Sequence, residues 1–276
     1  MNKKSPLDVD ETAVENDESR NSENFVRSFA RGLDVIRSFN KERSLQTLAE
    51  IATNVNLARA GVRRLLFTLM SLGYVEKEGR FFRLTPKILE LGFSYLAGVP
   101  FLEMAEPIVT KLVRDVEEGS SIAALDGYNI VYLLRVQTQK IMSLNLSVGS
   151  RLPAPLTALG RVLLSALDDE QLDKTLLNFI EDQKNNNLSK FEFEQLKLSI
   201  LKVREQGWSI VNQEMEVGLI ALAVPIFGKD KRVIAAINIF RISEGNHEER
   251  LKSYLPALLH AAEEISNLSS MKYKCY

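Results

Sequence analysis

Arg59, Ala60, Arg63 and Arg64 stand close together in the chain, and their spacing is the strongest chemical signal in the sequence. On a helical wheel over residues 58–72 they share one face with Phe67 and Ser71. Val62, Leu65, Leu66, Leu69 and Leu72 form the opposite stripe, which must turn inward. A guanidinium group is planar and permanently charged, with its donors in a fixed fork. It grips O6 and N7 of a guanine together, or a phosphate. Small Ala60 lets such a helix approach a duplex closely. Lys77 and Arg80, at the tip of a following hairpin around Glu78-Gly79, are placed to meet the nucleic-acid backbone rather than base edges. Ser44 and Gln46, near the preceding helix, complete the expected contact set. Taken alone, three arginines on a helix are also an ordinary solvated face. The surrounding elements and charge decide between the two.

No comparable pattern supports catalysis. The two histidines, His247 and His260, both fall near the last helix without a partner motif, so neither a metal nor a cofactor is expected. Neither a nucleophile elbow nor a phosphate-cradling glycine loop is present. The single cysteine, Cys275, is next to last and has no candidate base near it. The chain therefore reads as a binding protein and not an enzyme. One cysteine excludes a disulfide framework, and no apolar run has the length of a membrane span, so a cytoplasmic location is expected.

The elements that must position the arginines follow quickly. Residues 25–40 read as a helix. Ser44 is expected to cap a second helix, Leu45–Thr53, and a turn at 54–57 leads into the arginine-bearing helix, which Gly73 ends. Two short strands around a tight turn, 74–77 and 80–84, complete a winged helix-turn-helix over residues 25–84. Thr85-Pro86 opens a linker helix over 85–99. Residues 100–276 then read as helix, three strands, three helices, three strands and a closing helix. The strands are 121–125, 129–136, 141–148, 209–213, 219–225 and 233–242. Short links within each group of strands imply a mostly antiparallel sheet and an α+β fold.

Charge follows the same division. The formal net charge is -1, but residues 25–90 hold twelve basic and six acidic side chains. Residues 1–24 hold three basic and seven acidic groups and few large apolar ones, and read as a disordered acidic tail. A short basic module beside a larger, mildly acidic one fits a double-stranded DNA reader joined to a sensor.

The segments FVRSFARGLDVIRSF (25–39), LQTLAEIATNVNLARAGVRRLLFTLMSLGYV (45–75), GRFFRLTPKILELGFSYLAG (79–98), LPAPLTALGRVLLSAL (152–167) and GWSIVNQEMEVGLIALAVPIF (207–227) resemble the IclR family of regulators in order and spacing. The resemblance is greatest to the Pca/Pob subgroup, which governs breakdown of aromatic acids through the β-ketoadipate route. It implies a GAF-like effector domain, homodimers that pair into tetramers, an operator duplex and RNA polymerase as partners, and a small carboxylic acid as effector. It places that effector between the sheet and the helix start at Leu152, Thr157, Ala158 and Leu159. Val211, Leu219, Ala221, Asn238 and Phe240 form the opposite wall, with Met142 and Leu144 alongside. An apolar wall with an aromatic ring suits protocatechuate or 4-hydroxybenzoate, and Arg135 or Arg161 could neutralise the carboxylate. The family usually carries threonine where this chain has Gly61. Two alternatives stay open: an aliphatic acid as effector, and a metabolite-binding protein or enzyme whose winged helix makes protein contacts.

Overall fold

The computed structural model describes residues 24–97, 101–138, 146–182, 190–242 and 248–270. Met142, Leu144, His247, Cys275 and nearly all of the expected acidic tail lie outside the described residues. The chain divides into two units between Tyr95 and Leu96, within the helix expected as a linker.

The first unit contains α1 (Arg27–Arg37), β1 (Gln46–Thr47), α2 (Leu48–Asn54), α3 (Arg59–Ser71), β2 (Val75–Glu78), β3 (Phe81–Leu84) and α4 (Leu89–Ala97). Its three strands run antiparallel in the order β1-β3-β2. Val35, Ile51, Val62, Leu66, Leu69 and Val75 are buried together where α1, α2 and α3 meet the sheet. The second helix starts three residues later than its pattern suggests. Thr47, not Ser44, caps α2: its hydroxyl accepts the Glu50 N–H, while the Glu50 carboxylate accepts the Thr47 N–H at 2.7 Å. This reciprocal pair satisfies two donors at once and outcompetes the exposed Ser44. The residues before the cap are freed to form β1. Leu72 also departs from expectation. It lies past the end of α3 as its C-cap residue, and its side chain is 53% exposed.

The second unit contains α5 (Phe101–Val116), β4 (Gly119–Asp126), β5 (Asn129–Val136), β6 (Arg151–Pro153), α6 (Ala158–Ser165), α7 (Asp169–Asp182), α8 (Lys190–Gln206), β7 (Ser209–Asn212), β8 (Leu219–Phe227), β9 (Val233–Ile242), α9 (Glu248–Ser253) and α10 (Leu255–Ser270). The strands form one sheet in the order β6-β5-β4-β9-β8-β7, with antiparallel pairing throughout the described residues. The α+β class and the order of elements are as the sequence predicts. Two placements differ. Residues 141–145 of the expected third strand lie outside the described residues, 146–150 form no strand, and a short strand follows at Arg151–Pro153. The closing helix is broken at Tyr254, with Pro256 tolerated in the first turn of α10, where its missing N–H has no intrahelical role.

Side chains alternate across the sheet and divide the core in two. Ile220, Leu222, Val224 and Ile226 of β8 face α5 and α10. Ala221 and Ala223 face α6, α7 and α8. Small residues on this second face let α6 settle close to the strands. A short 3-10 turn, Ala154–Leu156, precedes α6, and Thr157 caps it by accepting the Gly160 N–H at 2.9 Å. Gly160 is required there, because a Cβ would lie 2.0 Å from the Ala154 carbonyl oxygen and 2.3 Å from its Cα. These are backbone atoms that no rotamer change can clear.

Gly160→Ala is therefore expected to destabilise the second unit by about 1–3 kcal/mol. Urea titration followed by the fluorescence of the single tryptophan, Trp208, measures it. An unchanged midpoint would show that α6 can slide without loss.

Candidate functional site

Two sites emerge, one in each unit. In the first, Val62, Leu66 and Leu69 anchor α3 to the core and turn Arg59, Ala60, Arg63 and Arg64 outward. All four are exposed, and among the described residues no ion pair holds any of the three arginines. Phe67, 70% exposed, extends the same face. The hairpin of β2 and β3 turns at Gly79-Arg80, and Lys77 and Arg80 are exposed near its tip. Phe82 packs against the core, whereas Phe81 carries the Arg80 guanidinium over its ring at 5.1 Å. Gln46 does not join this face. It is 2% exposed, its amide donates to the Ser38 carbonyl at 3.1 Å, and its oxygen accepts from Asn54 at 2.6 Å. Both ends of the side chain are occupied in holding α1 and α2 to β1, and Gln46 is withdrawn from the contact set. Ser44 remains exposed.

The second site is a cavity between the sheet and α6. Strand register builds its floor. Gly119, Phe240, Ala221 and Val211 stand opposite one another across four strands. One step along, Arg135, Ser121 and Asn238 form a second row across β5, β4 and β9. Gly119 makes room for its neighbour, since a Cβ there would lie 2.4 Å from the Phe240 ring. A bulge matters as much. The register of β4 and β5 shifts at Ile122/Ala123, leaving Leu133 as the extra residue. Strict alternation would put Tyr132 and Arg135 on opposite faces. The bulge brings both to the cavity side. No sequence signal marked it.

Leu152, Thr157, Ala158, Leu159, Val211, Leu219, Ala221, Asn238 and Phe240 all line this one cavity. Tyr132, Arg135, Leu156 and Met215 join them. The cavity is partly open, with a volume of about 40 Å³. Its polar groups are nearly all donors. The Ala158 and Leu159 N–H groups at the start of α6 have no acceptor among the described residues, whereas the Thr157 N–H is taken by the Ala154 carbonyl. The Asn238 oxygen accepts the Ser121 N–H at 2.9 Å, which leaves its NH₂ as the free end. Arg135 lies over the rings of Phe240 at 4.5 Å and Tyr132 at 5.3 Å. One nitrogen reaches the Ser121 hydroxyl at 3.4 Å, but its Nε and Nη2 are buried without a partner. Burial disfavours the charged form and lowers the Arg135 pKa, while Tyr132 opposes that shift. Burial likewise raises the Tyr132 pKa, so its hydroxyl is held protonated.

Arg161 does not enter the cavity. Its Nε donates to the Pro155 carbonyl at 2.9 Å and its Nη2 pairs with Glu214, so it serves as a tie and is no counter-ion for a ligand. Among the described residues no group of three or more histidine, cysteine, aspartate or glutamate side chains could hold a metal. No helix there is long and apolar enough to cross a membrane.

Residues 28–79 match the IclR helix-turn-helix domain, and residues 93–267 match the C-terminal domain of bacterial IclR transcriptional regulators. The chain belongs to the IclR family. The family's helix-turn-helix is thus the first unit, and its C-terminal domain is the sheet and helices of the second. The Pca regulon regulatory protein of Pseudomonas putida is 38% identical over 87% of this chain and 83% of its own length. The Pca operon regulatory protein of Acinetobacter baylyi is 34% identical over 89% of this chain and 90% of its own length. A crystal structure from Rhodococcus sp. RHA1, of a protein described as a transcriptional regulator, is 40% identical with a TM-score of 0.73. That likeness covers 88% of this chain and 98% of the other. This IclR-family chain is accordingly a transcriptional regulator with a DNA-binding helix-turn-helix.

Gly119→Ala is expected to drive the Phe240 ring into the cavity, because the added methyl takes the space the ring now fills. Filling so small a cavity should weaken binding of any ligand there at least tenfold, with a stability change below about 3 kcal/mol. Calorimetric titration of the variant measures it, and unchanged affinity would remove Phe240 from the site.

Proposed function

We propose that this regulator reads an operator duplex with Arg59, Ala60, Arg63 and Arg64, supported by Ser44, Lys77 and Arg80, and that an aromatic carboxylate in the sheet cavity controls the reading. In domain terms, residues 25–84 bind DNA, 85–99 link, and 100–276 bind effector and assemble. The observation that carries the effector assignment is Arg135, a guanidinium with two unpaired donors on a mostly apolar floor that it shares with Ser121 and Asn238. A half-buried cation with no anionic partner among the described residues is costly, and an entering carboxylate would supply both charge and acceptors. The free N–H groups of Ala158 and Leu159 add positive potential at a helix start. The Phe240 and Tyr132 rings and the surrounding aliphatic walls favour a flat ring over a short polar acid. The Pca names carried by relatives at 38% and 34% identity, and the resemblance to the aromatic-acid subgroup, support protocatechuate or 4-hydroxybenzoate. Self-association is supported by α4, whose Leu89, Leu91, Phe93 and Tyr95 are each more than half exposed.

Arg135→Gln separates this reading from a purely structural one. The unliganded variant should melt at or above the wild-type temperature, because an unpaired buried charge is gone. Its affinity for 4-hydroxybenzoate or protocatechuate should fall roughly ten- to hundredfold, the weight of a hydrogen bond to a charged group. Thermal shift and calorimetry with these acids and with short aliphatic acids provide the test. Stabilisation of the wild type by aliphatic acids alone would assign the cavity to them instead.

On the DNA side, Arg63→Ala should weaken binding to a duplex enriched by selection by about 1–3 kcal/mol. Gel-shift titration at several salt concentrations would show affinity falling steeply with salt. An unchanged dissociation constant would take Arg63 off the reading surface.

A further inference from the structure

The cavity is too small, as it stands, for the ligand proposed for it. One water needs roughly 10–15 Å³ on this scale, so 40 Å³ holds about three waters, less than a benzoate with its substituents. Something must open. A second concavity points to what opens. A cleft of about 330 Å³ lies on the outer side of α6, lined by Leu156, Arg161, Phe179, Gln195, Leu196, Ser199 and Glu214. Leu156 lines this cleft and the cavity alike. The loop 213–218 borders both as well, with Met215 lining the cavity and Glu214 lining the cleft.

Gln213, at φ 61°, accepts the Gly218 N–H on its side chain at 2.9 Å and donates its own N–H to the Leu219 carbonyl at 2.7 Å. These bonds close the loop on itself. Met215 hangs into the cavity, and Val217 is 87% exposed on the other side. Among the described residues, its one polar tie to α6 is the Glu214 carboxylate on Arg161. The two partners are unequal. Arg161 is 8% exposed and held also by the Pro155 carbonyl, whereas the Glu214 side chain is 41% exposed. Arg161 is the fixed half of a catch, and Glu214 is the half that can leave. An ion pair open to water on one side contributes little to stability, which suits a catch that must release often.

We infer that the effector enters and leaves the cavity from this outer cleft, past Leu156, when loop 213–218 swings away and the Arg161–Glu214 pair opens. The inference rests on the proposed effector site. It assigns Glu214 a positioning role that sets rates, with no contact to the ligand.

The test is stopped-flow binding of 4-hydroxybenzoate and protocatechuate to the full chain, read by Trp208 fluorescence and checked by calorimetry. Glu214→Gln should raise the association and dissociation rate constants together, roughly three- to tenfold, the range for losing a partly exposed ion pair. The dissociation constant should stay within about twofold. Glu214→Asp, which keeps the charge, should fall between the variant and the wild type. Leu156→Ala, which widens the shared wall, should also speed association. Unchanged association rates in both Glu214→Gln and Leu156→Ala would overturn the gate while leaving the site standing. A Glu214→Gln variant that only loses affinity, with no faster entry, would make the pair a structural tie and also overturn it. If the wild-type chain binds neither acid, the site assignment fails first and the gate with it.

Discussion

One half-buried charge, with no anionic partner among the described residues, sets the chemistry of the cavity in the second unit. Arg135 projects from β5 onto a sheet face made almost wholly of alanine, valine, leucine and aromatic rings, with two of its donors unmatched. Elsewhere the unit pairs its part-buried arginines: Arg161 with Glu214 and Arg241 with Glu118. Stacking on Phe240 and Tyr132 offsets part of the desolvation of Arg135 but supplies no anion. Stacking and the Ser121 contact are what folding gains from such a group, and they leave its charge without an anion among the described residues. A carboxylate ligand would supply one. The neighbouring donors at the start of α6 and the locked orientation of Asn238 point to the same chemistry, because a site that only donates selects an acceptor.

The geometry that delivers this charge depends on three local devices. A bulge at Leu133 puts Tyr132 and Arg135 on one face. Gly119 leaves room for the Phe240 ring beside β4, and Gly160 lets α6 approach the turn at Ala154 closely. Each device is a departure from regular structure. Each is placed where the regular alternative would close the cavity or turn a donor away. The first unit works by the opposite logic. The face proposed to read DNA is an amphipathic helix whose buried valine and leucines leave three arginines to solvent. Guanidinium groups that are already free and hydrated need no strain to hold them ready for phosphates and base edges.

This contrast explains how far the sequence alone could be read. Periodicity located α3, β5 and β9 to within a residue, because their apolar stripes are long and uninterrupted. The nine described residues that the family resemblance implied for the effector site do share one cavity, and four of them, Leu219 with Ala221 and Asn238 with Phe240, lie two apart on strands. What stayed hidden was non-periodic. A capping box moved the start of α2 from Leu45 to Leu48 and buried Gln46, which sequence had placed among surface contacts. The Leu133 bulge broke the alternation that would have hidden Arg135 or Tyr132 from the site. The choice between Arg135 and Arg161 turned on whether each guanidinium had a carboxylate nearby, and Glu214 lies far from Arg161 in the chain. Long-range pairing of this kind leaves no local mark.

How a metabolite in one unit alters DNA binding by the other is bounded by thermodynamics whatever the route. An effector shifts an equilibrium only by the difference between its affinities for the two states. Couplings of this kind typically amount to 1–3 kcal/mol, and the operator must change effector affinity by the same factor. On the proposed reading, a carboxylate in the cavity would supply such a difference, because it would add charge-assisted hydrogen bonds at Arg135 and at the start of α6 that the structure described here does not make. The element best placed to register that change is α6 itself. Its first turn would meet the carboxylate, and its body packs on β4, β7, β8 and β9 at once, so a small shift at its N-terminus is felt across most of the sheet.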